Sequence, residues 1–193
     1  MKIENEYIIR KIKEETLKNL SIYGVKGWNM TKLASDSGIA KDTLYRIIGS
    51  KEKLIKEVLI ERIKESKRNI IDIINEDVHY IDKFNPIINE LSDFTSELSL
   101  QNMQEILLTF PFIESEVSKT KDEYNNKILE YIQEGIDNNY LKGNVDPQVV
   151  LNIIEANILY FLKHSDKSEV KIKISKCLNY LLGGIVNEKV CSI

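Results

Sequence analysis

The sequence predicts an all-α chain, and three observations carry that expectation. Apolar residues recur at three- and four-residue spacing in both halves of the 193 residues, the period of one helix face. No segment alternates apolar and polar residues as a half-buried strand does. Three prolines and eight glycines leave long stretches in which a helix can run unbroken.

In chain order, the first helix is predicted over about residues 4–23, with Ile8, Ile9, Ile12, Thr16, Leu20 and Tyr23 at helical spacing and Gly24 as a C-terminal cap. The second runs over about 30–37, opened by Asn29, a good N-cap, and closed by Ser37-Gly38, where glycine can take the positive φ of a sharp corner. The third covers about 41–47, with only Leu44, Ile47 and Ile48 to hold it to a core. The fourth starts after Ser50 and reaches about 75, with Leu54, Val58, Ile63, Ile70 and Ile74 on its buried side. Asn85-Pro86 then marks a helix over about 86–99, a shorter one at about 101–109 stops at Pro111, and a long one spans about 113–139. Asp146-Pro147 is a side-chain cap followed by proline at the first helical position; that helix runs to about 164, and a last one covers about 168–187.

Charge is unevenly placed. The net charge is −3, yet residues 1–56 carry twelve Lys/Arg against seven Asp/Glu, and residues 57–193 carry fifteen against twenty-three. A basic head on an acidic body suits a nucleic-acid binder with a separate second domain. A composition 42% hydrophobic and 30% charged is that of a soluble globular protein. No apolar run approaches the roughly 20 residues of a membrane span. The opening MKIENEYIIRK is too charged for a signal peptide, and Cys177 and Cys191 suggest no disulfide framework. The expectation is a cytoplasmic protein with no membrane partner.

Residues 29–54, NMTKLASDSGIAKDTLYRIIGSKEKL, say most about function. Two short helices meet at a tight turn, and the second crowds Lys41, Asp42, Thr43, Tyr45 and Arg46 onto one short helix with few anchors. Such a helix presents its outer face, which in a helix-turn-helix enters the DNA major groove. The stretch resembles the DNA-binding segment of the tetracycline-repressor (TetR) family of one-component bacterial regulators. Leu33-Ala34, Ser37-Gly38-Ile39, Lys41, Thr43-Leu44-Tyr45 and Ser50-Lys51-Glu52 match that family's pattern at its spacing. Three positions depart from it. Ala40 stands where serine is usual, removing a side-chain cap worth about 1 kcal/mol. Asp42 stands where glycine is common. Ile48 stands where an aromatic packs the small core, and Trp28 is a candidate to fill the volume.

The resemblance implies an N-terminal three-helix helix-turn-helix DNA-binding domain over residues 1–50 and a C-terminal helical domain over 51–193 that binds an effector and dimerises. The fourth helix would then link the two as a rigid connector. Lys41 and Thr43, opening the recognition helix, would reach base edges, Lys to guanine O6/N7 and Thr to a base or a thymine methyl. Asp42 has two readings: accepting from cytosine N4, or stabilising the helix N-terminus and pairing with Arg46 one turn on. Tyr45 and Lys51 are carried over as phosphate contacts, and Met30 and Thr31 would flank the backbone. Leu33, Ala34, Leu44 and Ile48 are structural on any reading.

Phe84, Phe94, Met103, Leu107, Phe110, Phe112 and Tyr124 concentrate in the middle helices. By resemblance alone they would line a cavity for a lipophilic or planar small molecule; residue by residue they read as ordinary core. The last two helices are unusually apolar. By resemblance, Val150, Ile154, Asn157, Ile158 and Phe161 on one, and Ile174, Leu178, Leu181 and Ile185 on the other, would form a four-helix interface with a second copy, as suits a helix-turn-helix that reads two half-sites about a two-fold axis; the alternative is plain core packing within one chain.

A rival reading is a helical-bundle enzyme or metal carrier. Glu76 and His79 make one Glu-x-x-His step, but a di-iron bundle needs two, and His164 lacks the partner. No phosphate loop, nucleophile elbow or Cys/His cluster is present. The sequence therefore points to a non-enzymatic, cofactor-free regulator, a repressor whose partners are a palindromic DNA operator, a second copy and a small-molecule effector.

Overall fold

The computed structural model describes residues 2–97 and 100–187. Its α-helices among these are α1 (Lys2–Tyr23), α2 (Met30–Ser37), α3 (Lys41–Ile48), α4 (Lys51–Asn75), α5 (Phe84–Glu97), α6 (Leu100–Thr109), α7 (Pro111–Asp137), α8 (Pro147–His164) and α9 (Lys167–Ile185), with a 3-10 turn at Tyr80–Lys83 before α5. No strand occurs among the described residues; a single antiparallel bridge joins Leu141 to Val186. The all-α expectation holds. The differences sit at two prolines. α7 opens on Pro111, where helix 113–139 was expected to follow it, because proline without an N–H is at home in a first turn. α5 opens at Phe84, two residues before Pro86, for the same reason.

The chain forms two compact units, one of Met1–Ile63 with Leu98–Ser118, the other of Lys64–Glu97 with Lys119–Ile193. The sequence boundary at 50/51 marks the start of α4 and not the limit of the head. Leu54, Ile55, Val58 and Leu59 from the first half of α4 complete the head's core, together with Ile106 of α6. α6 is thus part of the first unit, although sequence order put it in the second domain.

Within the first unit, Ile12 and Leu20 of α1, Leu33 and Ala34 of α2, and Leu44 and Ile48 of α3 converge on one buried cluster. Trp28 is buried in the same cluster as Ile48.

Within the second unit, α9 packs on α5 and α8. Its centre is aromatic. Tyr80 donates to the carbonyl of Tyr131 and Tyr131 to that of Tyr80, each at 2.9 Å. Tyr140 stacks on Tyr80 with ring centroids 4.8 Å apart. Asp146 caps α8, its Oδ1 accepting from the amides of Gln148 and Val149 at 2.8 and 3.2 Å.

Candidate nucleic-acid interface

The corner between α2 and α3 is built locally. Asn29 Oδ1 accepts from the amides of Thr31 and Lys32, each at 3.0 Å, and starts α2. Gly38, at φ 73°, ends it in the left-handed conformation that glycine takes without strain. Ala40 leaves the start of α3 without a side-chain hydrogen bond. Gly49, at φ 83°, ends α3, and Ser50 Oγ accepts from the Lys53 amide at 3.1 Å to start α4.

This geometry fixes which side of α3 faces out. Leu44 and Ile48, one turn apart, are buried. Lys41, Asp42, Tyr45 and Arg46 are exposed, and Thr43 is half-buried. Tyr45 keeps 43% of its surface open, unusual for an aromatic with a core beneath it. Among the described residues no ion pair engages Lys41 or Arg46, and none joins Asp42 to Arg46. The intrahelical pairing foreseen for Asp42 is therefore absent, while its place in the first turn still complements the positive end of the helix. The outer face of α3 offers two uncommitted cations and a phenol on one stripe.

Two of the residues expected at the DNA lie inward. Met30 is only 5% exposed and belongs to the core cluster of the head; its thioether packs, and only Thr31 beside it remains exposed. Lys51 turns inward. Its Nζ donates to the carbonyls of Val25 and Trp28 at 2.5 and 2.6 Å and lies 4.2 Å from the centroid of the Trp28 ring. Two of an ammonium's three donors are thus taken by backbone. Burial holds the Lys51 pKa below the ordinary lysine range, and the Glu105 carboxylate works in the opposite direction.

Sequence reasoning missed the residues around this lysine. Glu105 Oε2 accepts from the Val25 amide at 3.0 Å. Asn102 Nδ2 donates to the carbonyls of Leu20 and Ser21 at 2.8 and 3.2 Å, closing the end of α1. These pairs are about eighty positions apart in sequence, and no local pattern announces them.

The effector residues do not gather as expected. Phe84 packs edge-on against Tyr80, with centroids 5.4 Å apart, inside the aromatic core of the second unit. Phe110 packs against the core of the head instead. Phe94 and Tyr124 belong to the second unit and are partly buried, while the side chains of Met103, Leu107 and Phe112 lie outside the described residues. The Tyr124 hydroxyl is buried with no hydrogen-bond partner, and burial raises its pKa above the usual phenol range, with Glu90 adding to the effect.

The dimer residues chosen from sequence mostly face inward. Val150, Ile174 and Leu178 are buried, and Ile154, Ile158 and Phe161 pack in the same cluster with Ile88 of α5. Leu181 and Ile185 pack against the aromatic core. Asn157 Oδ1 accepts the Cys177 thiol hydrogen at 3.0 Å. The densest apolar stripe on α8 and α9 is the one that seats them within the chain. What the pair exposes is a flanking set: Val149, Ile153, Leu159 and Tyr160 on α8, and Ile172 and Tyr180 on α9.

Solved structures share this architecture. The TetR regulator SCO0520 from Streptomyces coelicolor superposes with a TM-score of 0.70 at 11% identity, over 93% of this chain and 99% of the other. The ketosteroid regulator KstR2 of Mycobacterium tuberculosis gives 0.68 at 16%, over 93% and 95%. The fold is that of TetR-family transcriptional regulators. FadR from Bacillus subtilis, solved with stearoyl-CoA, shares it at a TM-score of 0.60 and 14% identity, over 88% of this chain and 96% of its own. No family model and no curated relative matches the sequence. In the TetR fold the helix-turn-helix is the N-terminal feature, and here it is α2 and α3. Among the described residues no helix is long and apolar enough to cross a membrane, and no group of three or more His, Cys, Asp and Glu could hold a metal ion.

Proposed function

We propose that this chain is a ligand-responsive DNA-binding regulator, a repressor that grips a palindromic operator as a homodimer and is released by a small molecule. The observation that carries the reading is the outer face of α3, where Lys41, Tyr45 and Arg46 stand exposed and uncommitted on a helix anchored by Leu44 and Ile48 with Ile47 packed beside them. Lys41 and Thr43 at the start of α3 would read base edges, and Tyr45, Arg46 and Thr31 would meet phosphate. Met30 and Lys51 act in this reading as structure beneath the interface.

For the effector, the second unit supports an apolar molecule carrying one hydrogen-bond acceptor, which the buried Tyr124 hydroxyl would satisfy. The stearoyl chain of the stearoyl-CoA solved with FadR, with its single thioester carbonyl, is an apolar group of that character. Binding of such a molecule would favour a state in which the paired heads no longer fit both half-sites, a population shift by differential affinity. The exposed apolar set on α8 and α9 would meet a second copy.

The test is operator selection. Purified protein incubated with sheared genomic DNA at low ionic strength should retain fragments that share a palindrome. The logarithm of the binding constant should fall linearly with that of salt, and Arg46→Ala should flatten the slope by about one unit. Retention of no fragment, including its own promoter, would overturn the reading.

A further inference from the structure

We infer that Lys51 governs DNA binding by positioning and not by touching phosphate, and that Glu105 of α6 is the anchor through which α6 sets the shape of the recognition head. The inference rests on the DNA-binding reading above and names how that site is held and regulated.

Val25 is gripped from both sides. Its N–H donates to Glu105 Oε2 and its carbonyl accepts from Lys51 Nζ. The second Lys51 bond goes to the carbonyl of Trp28, whose ring covers the ammonium. Lys26 Nζ lies 3.8 Å from the other Glu105 oxygen. The segment 24–28 is the link that leads into α2, and Lys51 is the first residue of α4, just after α3. The lysine therefore ties the entrance of the helix-turn-helix to its exit, and Glu105 ties that knot to α6.

Gly24 shows that the arrangement is built. At φ +66°, a Cβ there would lie 2.7 Å from Glu105 Oε2 and 3.2 Å from Asn102 Oδ1. Only a residue with no side chain lets α6 seat both polar groups on this turn. An ammonium drawn away to a phosphate would leave two carbonyls without their partner. The chain enters α6 from the second unit near residue 97 and returns to it within α7 near residue 118. A change in either flanking segment thus reaches α6 through the backbone, and through Glu105 it reaches Val25, Lys51 and the ends of the helix-turn-helix.

The experiment measures operator binding by fluorescence anisotropy across salt, with a duplex recovered by the wild-type chain. Lys51→Met and Glu105→Gln should each weaken binding by about tenfold while the salt slope stays at the wild-type value. The double variant should be no weaker than Lys51→Met, as for two residues of one device. In the free protein, Glu105→Gln should speed hydrogen exchange at the Val25 amide. A salt slope lowered by about one unit in Lys51→Met, or wild-type affinity with unchanged Val25 exchange in Glu105→Gln, would overturn the inference. Should Lys51→Met not fold, Glu105→Gln decides alone, since it keeps an acceptor in place. Failure of the DNA reading looks different: the wild type retains no duplex, or Arg46→Ala keeps the full salt slope, while Val25 exchange still reports on the Glu105 contact.

Discussion

Gly135 lies where α7 passes under Tyr80. A Cβ built there falls 2.1 Å from the Tyr80 hydroxyl oxygen and 2.4 Å from the ring carbon that bears it. That hydroxyl is one half of the reciprocal pair with Tyr131, and the Tyr80 ring is the plate on which Tyr140 stacks. Gly135→Ala must push the ring aside, at about 1–3 kcal/mol for overpacking, and break a buried hydrogen bond worth about 1 kcal/mol more. Urea unfolding should show the loss, and a midpoint equal to wild type would mean that the ring relocates freely. At this scale the sequence was readable where one neighbour decides the matter. Leu44 and Ile48 had to face inward because a helix of eight residues has few other anchors. The inward turn of Lys51 has no local signal, because the carbonyls it meets, those of Val25 and Trp28, sit 26 and 23 residues away and have no side-chain signature. The burial of Met30 has none either, because a residue at the start of a helix can turn to either side, and only the packed head chooses.

Helix ends were the most legible elements. Asn29 and Asp146 cap α2 and α8 as their sequence contexts foretold, because a cap is a local bond between residues two and three apart. The missing cap at Ala40 was legible in the same way, and it makes a prediction. Ala40 already has extended dihedrals, φ −67° and ψ 143°, with its carbonyl accepting from Leu44. Ala40→Ser should therefore add a bond to the first turn of α3 without moving it and stabilise the head by about 1 kcal/mol, raising Tm by about 2–4 °C. Thermal unfolding followed by circular dichroism checks this, and a lowered Tm would show that the turn cannot accept the side chain. What could not be read was the allegiance of α6. Its apolar pattern is that of any amphipathic helix, and only the long-range contacts of Asn102, Glu105 and Ile106 show that it completes the head.

At the scale of the whole molecule, the proposed function requires two copies of α3 to be held one DNA turn apart, so in that reading the way the chain pairs decides whether it can read an operator. The apolar stripe first assigned to pairing is spent inside the chain on α5. The residues left over, Val149, Ile153, Leu159, Tyr160, Ile172 and Tyr180, are between 37% and 80% exposed. That is a large amount of aliphatic and aromatic surface for one helix pair to show water, and aromatic side chains are what the core of a protein interface enriches. A standard interface hides about 800 Å² on each partner, within reach of two such helices meeting their copies. Substituting Ile153→Glu and Tyr160→Glu together places two carboxylates on that surface without touching the buried Val150, Ile174 or Leu178. The doubly substituted chain should keep its helical circular dichroism and sediment at 22.4 kDa, where the wild type should sediment at twice that mass. Because one head then binds without its tethered twin, operator affinity should fall by at least about a hundredfold. Sedimentation velocity and anisotropy read the two outcomes separately. A dimer that survived both glutamates would place the two-fold axis on another face of the molecule.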